Sequence, residues 1–152
     1  TMKIEGSFVL QEPVNIVWEY LLNIDEISQC IPGIQMLETI DATNYHGTIQ
    51  VKIGPIKMSF GGTVKLVEIE APYRLVAAFE ADDKRHASKI KATCTSVLNP
   101  IAEGTEVTYT MDVNIRGRLA QFGQAVVQST TKKMVGAFSS CVQKKLSGCE
   151  AA

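Results

Sequence analysis

The sequence is poor in the residues that build catalytic and metal centres. It has two histidines, His46 and His86, in no HxxxH arrangement. Both fall on or beside stretches where polar residues face out, so surface positions are expected for them. The four cysteines, Cys30, Cys94, Cys141 and Cys149, form no CxxC pair and no zinc-ligand spacing. No Ser-His-Asp arrangement is visible. Gly54-Pro55 and Gly61-Gly62 are followed by no Lys-Ser/Thr helix start, so neither is a phosphate loop. No run approaches the ~18 apolar residues that a membrane span needs. The first residues are charged and alternating, unlike a signal peptide, and Thr1 reads as an addition ahead of a natural start at Met2. These features lead us to expect a cytoplasmic protein with free thiols in a reducing compartment, and neither a metal nor a built-in cofactor. Nucleic acid is not expected as a partner, because the net charge is −1 and no aromatic-basic motif occurs.

Acidic residues are missing from one long stretch. Between Val113 and Cys149 there is no Asp or Glu, while Arg116, Arg118, Lys132, Lys133, Lys144 and Lys145 all fall there. The rest of the chain then holds nine basic residues against all sixteen acids, a net of −7. Two readings follow. The basic segment lies over an acidic sheet surface, or it faces an anionic membrane or an acidic protein partner. In the second reading Lys132, Lys133, Lys144 and Lys145 are the docking residues, and the protein is peripheral at the inner face of the cytoplasmic membrane.

What the chain does contain is two clean periodicities. Lys3 to Gln11 reads as a first strand. Pro13 suits a helix start, and Val14, Val17, Trp18, Leu21 and Leu22 form the stripe of a short helix. A second short helix runs from about Asp25 to Cys30, and Ile31-Pro32-Gly33 ends it. The period then becomes two. Tyr45, Gly47, Ile49, Val51 and Ile53 alternate with polar residues, as do Met58 to Leu66, Leu75 to Phe79, Ile90 to Cys94 and Val107 to Ile115. Strict alternation buries one face of an antiparallel sheet and wets the other. Gly61-Gly62 in mid-strand permits a bend.

The last periodicity is helical. From Arg118 to Leu146, Leu119, Phe122, Val126, Met134, Phe138, Val142 and Leu146 recur at steps that place them on one stripe. Gly148 stands where a C-cap is wanted. At 1.5 Å per residue such a helix is roughly 40 Å long, enough to cross a small domain. The expected fold is therefore α+β. A curved antiparallel sheet of about seven strands wraps a long C-terminal helix, with two short helices after strand 1. One domain spans residues 2–148, and 149–152 form a short tail.

Several stretches carry a resemblance: Val17-Trp18, Cys30-Ile31-Pro32-Gly33, Val51 to Gly62 (VKIGPIKMSFGG), Pro72, Gly104-Thr105, Tyr109, Gly117, and Leu119-Ala120-Gln121-Phe122-Gly123. In this order the chain resembles the START-like, helix-grip (SRPBCC) superfamily, and within it the family of the carbon monoxide dehydrogenase G subunit. It departs from that family where Ser139, Ser140 and Cys141 follow Phe138 in place of bulky apolar residues. The resemblance implies a deep cavity between sheet and helix. It also implies binding of a lipophilic molecule, a quinone or a lipid, and attachment of a molybdenum-hydroxylase dehydrogenase to the cytoplasmic membrane.

The candidate lining is Met58, Phe60, Phe79, Ile90, Tyr109, Met111, Phe122, Val126, Met134 and Phe138, because Met and Phe suit adaptable apolar pockets. The bland alternative is that each packs into an ordinary core. Gly62 is expected to leave room, Trp18 to sit in the core. Tyr109 is the one polar group on the apolar face, and Asp112 and Glu106 share the wet face, so no buried acid/base pair is found. A non-enzymatic binder is therefore expected. A polyketide cyclase/hydrolase-like enzyme using the same cavity is the alternative, and an adaptor with a filled core is a third possibility.

Overall fold

In the computed structural model, which describes residues 2–148, the strands are β1 (Met2–Leu10), β2 (Ile34–Thr39), β3 (Asn44–Ile53), β4 (Ile56–Glu70), β5 (Arg74–Asp83), β6 (Ser88–Ile101) and β7 (Gly104–Gly117). The helices are α1 (Val14–Leu22), α2 (Ile24–Ile27) and α3 (Gln124–Ser147), with 3-10 turns at Ser28–Cys30 and Arg118–Phe122. The expected tail 149–152, with Cys149, lies outside the described residues.

The strands form one antiparallel sheet in the order β1-β7-β6-β5-β4-β3-β2. β1 and β2 are thus at opposite edges, so the segment between them must cross from one edge to the other. α1 and α2 make that crossing. The alternation read from the sequence is the burial pattern: on β7, Thr105, Val107, Tyr109 and Val113 are buried while Thr108 and Asp112 face out. β2 gave no clear sequence signal, because it is a half-buried edge strand whose register shifts between Ile34 and Met36.

Helix α1 begins after Pro13, and its buried residues are Val17 and Trp18. α2 is capped by the Asn23 side chain, which accepts from the Glu26 amide at 3.3 Å. The C-terminal helix is shorter than its periodicity suggests. Arg118–Phe122 is a separate 3-10 turn, and Gly123 at φ +84° breaks the chain before α3 starts. That conformation strains any residue with a Cβ. The 24 residues of α3 give a length of about 36 Å at 1.5 Å per residue. Gly148 caps it, its amide donating to the Lys145 carbonyl at 3.3 Å.

Two apolar clusters hold the layers together. One gathers Leu10, Val17, Trp18, Cys30, Leu98, Val107 and Val142, with Phe138, Cys141 and Leu146 packed against it. The other gathers Ile53, Met58, Phe60, Leu119 and Val127, with Ile90, Phe122 and Val126 alongside. The first joins the C-terminal half of α3 to α1, β1, β6 and β7. The second joins its N-terminal end, and the turn before it, to the β3–β4 hairpin.

The free-thiol expectation fails for two cysteines. Cys30, at the end of the turn after α2, is disulfide-bonded to Cys141 on α3, with Cα atoms 5.4 Å apart. The sequence separation of 111 hid this pairing from spacing rules, which detect near neighbours. Cys94 is a free thiol.

Candidate functional site: an apolar cavity under the helical layer

A cavity of about 360 Å³ lies between the α1–β2 segment, strands β3 to β5, and α3. Its helical side is aliphatic: Leu21, Leu22, Ile24, Ile27 and Ile31, with Phe138 contributed by α3. Its sheet side includes Ile49, Phe60, Val64, Leu66 and Phe79. The floor is a row of small residues. Gly47 on β3 pairs with Gly62 on β4, which pairs with Ala81 on β5. Their small size leaves the space above them unfilled, and at Gly47 a Cβ would also meet the Met36 carbonyl oxygen and the Leu37 side chain. The walls draw on both clusters, with Leu21, Leu22 and Phe138 from the first and Phe60, Ile49 and Ala81 from the second.

Gly62 borders the cavity, as expected, but the space is not its only constraint. A Cβ there would meet the Glu80 carbonyl oxygen and the Ala81 backbone, so glycine also lets β4 and β5 approach closely.

Polar groups in the wall are few. The Tyr45 hydroxyl donates to the Ala42 carbonyl at 3.2 Å. Glu80 borders the cavity between the inward Phe79 and Ala81, and its exposed carboxylate turns to the outer face, where it pairs with Lys91 at 3.6 Å. Thr48 and Thr63 complete the set. Among the described residues no group of His, Cys, Asp and Glu could hold a metal. A wider, open groove of about 500 Å³ lies on the outer face over Gly61, lined by Glu80, Asp82, Lys89, Lys91 and Arg116. Its mixed charges and sheet floor offer no enclosure, so the apolar cavity is the candidate site.

The structure brings together three of the expected lining residues, Phe60, Phe79 and Phe138. Met58, Ile90, Phe122 and Val126 pack in or against the second cluster. Tyr109 is buried, with its ring 6.4 Å from that of Phe8 and its hydroxyl over Gly6. Burial, with Cys94 nearby, raises the Tyr109 pKa. Burial likewise raises that of Cys94, against a weak contact with the Ser96 hydroxyl. Met111 is half-buried on β7 opposite Ile4, and Met134 is half-buried on α3 outside the cavity wall. Lys132, Lys133 and Lys144 are exposed, whereas Lys145 donates to Gln29 Oε1 at 2.7 Å and is partly covered. Trp18 is in the core.

The sequence reading missed the whole α1–β2 wall. Its signal was there: Leu21, Leu22, Ile24, Ile27, Ile31, Ile34 and Leu37 are more apolar residues than two short helices need for one buried stripe.

His86 is not the open surface residue expected. It sits in the β5–β6 turn with only 16% of its side chain exposed, and its Nδ1 is 2.9 Å from Asp83 Oδ2. Asp83 is buried and also accepts from the amides of Ser59, at 2.9 Å, and His86, at 3.0 Å. Burial pushes the Asp83 carboxyl up, but the His86 ring and the two amides outweigh it and hold it below its ordinary value. Ser88 Oγ donates to the His86 backbone carbonyl and accepts from the Leu119 amide, so it does not meet the imidazole. These residues form a clasp joining the hairpin to β4 and to the turn before α3. They are not a nucleophilic triad. His46 is exposed on β3, as expected.

The same fold recurs in solved structures. A conserved protein from Geobacillus kaustophilus is 25% identical, with a TM-score of 0.89 over 96% of this chain and 95% of that one. Protein Ms6760 from Mycobacterium smegmatis is 12% identical, with a TM-score of 0.71 over 98% and 93%. The Zhui aromatase/cyclase from Streptomyces sp. R1128 is 14% identical, with a TM-score of 0.67 over 97% and 94%, and shares the fold alone. No curated protein matches the chain. The model of the family described as the carbon monoxide dehydrogenase G subunit (CoxG) matches residues 6–147, nearly the full length. The chain belongs to this CoxG family of carbon monoxide dehydrogenase.

Proposed function

We propose that this protein is a non-catalytic binder of a lipophilic small molecule, serving a carbon monoxide dehydrogenase system at the membrane surface. One observation carries the reading. The cavity is walled by aliphatic and aromatic side chains, its tyrosine is already hydrogen-bonded, and the one acidic residue on its border, Glu80, turns its carboxylate out to Lys91. Such a space selects for apolar bulk. A quinone is the first ligand to try, because a dehydrogenase of this kind must pass electrons to a membrane pool, and a lipid acyl chain is the second. A cyclase-like use of the cavity would need an acid or base aimed at a bound substrate, and the wall supplies none. Among the described residues no helix is long and apolar enough to cross a membrane. The membrane contact in this reading is peripheral, through the exposed Lys132, Lys133 and Lys144.

Delipidated protein is titrated with a menaquinone-like compound and with a fluorescent fatty acid. Saturable one-to-one binding of either supports the reading, and failure of both sinks it. Co-sedimentation with anionic vesicles tests docking. Basic residues contribute about 1 kcal/mol each near such a surface. Lys132→Glu/Lys144→Glu should therefore bind clearly less than the parent, and added salt should weaken the parent. Equal binding by both proteins, or none by either, leaves a protein partner for these lysines.

A further inference from the structure

The cavity has one rigid side and one side that its backbone hydrogen bonds do not fix. Strands β3 to β5 are tied into the sheet by continuous ladders. The opposite wall is the segment Leu21–Ile31, made of the end of α1, the four-residue α2 and a 3-10 turn. The side-chain ties we find between this wall and α3 are few. Cys30 is bonded to Cys141. Lys145 Nζ donates to Gln29 Oε1 at 2.7 Å, and this bond is exposed. The two bonded residues adjoin the site on both sides: Cys30 precedes Ile31, and Cys141 follows Phe138 by one helical turn, and both Ile31 and Phe138 line the cavity.

We propose that the Cys30–Cys141 bond is a redox latch that governs entry to and exit from the cavity, a proposal resting on the ligand-binding reading above. Oxidised, it pins the Leu21–Ile31 wall to α3 and keeps the mouth of the cavity narrow. Reduced, it leaves that wall held by side-chain packing, the exposed Lys145–Gln29 bond and the weak contact of Cys141 Sγ with the Gln29 carbonyl at 3.8 Å, and the wall swings. Cys30 is only 4% exposed whereas Cys141 is partly exposed, so Cys141 Sγ is the sulfur a reagent reaches first. The step is exchange with a dithiol carrier. Its thiolate attacks Cys141 Sγ, forming a mixed disulfide and expelling Cys30 as a thiolate, which takes up a proton. The carrier's second thiol, as its thiolate, then attacks the mixed disulfide. It leaves the carrier oxidised and expels Cys141 as a thiolate, which is protonated in turn. Two electrons pass from carrier to protein, and the reverse reaction closes the latch.

The test uses the full chain carrying Cys94→Ser and Cys149→Ser, so that only this pair titrates. Hydrogen exchange over Leu21–Ile31 and release of a bound fluorescent fatty acid are followed in the oxidised protein and after reduction with a dithiol. A Cys30→Ser/Cys141→Ser protein is the control. Reduction is expected to speed exchange in that segment and probe release several-fold, while exchange in β5 and β6 stays slow. The control should behave as reduced protein under both conditions. Unchanged segmental exchange on reduction, or two free thiols in the air-oxidised protein, overturns the latch. If exchange responds but no probe binds either form, the latch stands as a conformational device and the ligand reading fails.

Discussion

Replacing Phe79 by Trp separates a wall that faces empty space from one that faces packed atoms. Phe79 is on the inner face of β5, half-buried, and borders the cavity of about 360 Å³. The larger ring enters that space, so no packed neighbour must move, and stability should change by less than about 1 kcal/mol. The same substitution at Met58, which has no exposed surface, overpacks a filled cluster and should cost about 1–3 kcal/mol. In a chain of this length that is a fall in Tm of roughly 2–12 °C, at about 2–4 °C per kcal/mol. Binding should move the other way. If the indole excludes about three methylenes of ligand, each worth about 0.8 kcal/mol, affinity drops by about 2.4 kcal/mol. That is roughly fifty-fold, at about 1.4 kcal/mol per factor of ten. Calorimetry gives the Tm values, and displacement of a fluorescent fatty acid gives the affinities. A Phe79→Trp protein that melts as early as Met58→Trp, or binds as tightly as the parent, refutes the reasoning.

Other substitutions probe the clasp, the floor and the staple. Asp83→Ala strands the Ser59 and His86 amides, each costing about 1–3 kcal/mol when buried, so urea unfolding should show a loss of about 2–6 kcal/mol. The Asp83 carboxyl is held below its ordinary value in the folded protein. Its contribution is therefore complete above the unfolded value of about 4 and is lost as pH falls through the lower folded value, and Asp83→Asn should flatten the acid limb of stability against pH. Gly62→Ala should lower stability by about 1–3 kcal/mol, seen as a lower urea midpoint, because the methyl meets the β5 backbone; an unchanged midpoint would mean the strands part freely. Reducing Cys30–Cys141 opens a loop of sequence separation 111, worth close to 5 kcal/mol by chain entropy. A scan with and without reductant should show Tm falling by roughly 10–20 °C at about 2–4 °C per kcal/mol.

How much of this could be read from the chain depended on range. Period-two alternation at Val107–Ile115 and helical spacing at Val126–Leu146 are local, and both gave their elements correctly. The break at Gly123 was masked because Leu119 and Phe122 happen to continue the helical stripe while lying in a separate turn. Faces were legible, but depth was not. Met58 and Phe60 share a face of β4, yet Met58 is enclosed by the β3–β4 hairpin end and the turn before α3, and only Phe60 reaches the space. Which inward residues meet a void depends on cross-strand register, since the floor exists only because Gly47, Gly62 and Ala81 fall in one row. The Cys30–Cys141 and Asp83–His86 pairs show the same contrast. The second is three residues apart in a turn and could have been suspected. The first joins distant segments that meet only once the helices cross the sheet.

Photo-crosslinking addresses most directly the claim that this cavity holds a lipophilic molecule. Delipidated protein is loaded with a fatty acid carrying a diazirine on its chain, irradiated and digested, and the modified residues are mapped. The account predicts labels on the Leu21–Leu37 segment, on β4 around Phe60 to Leu66, and at Phe138, all suppressed by excess menaquinone-like competitor and reduced in Phe79→Trp. Labels confined to the outer groove around Lys89 and Arg116, or scattered labels that no competitor suppresses, would contradict it.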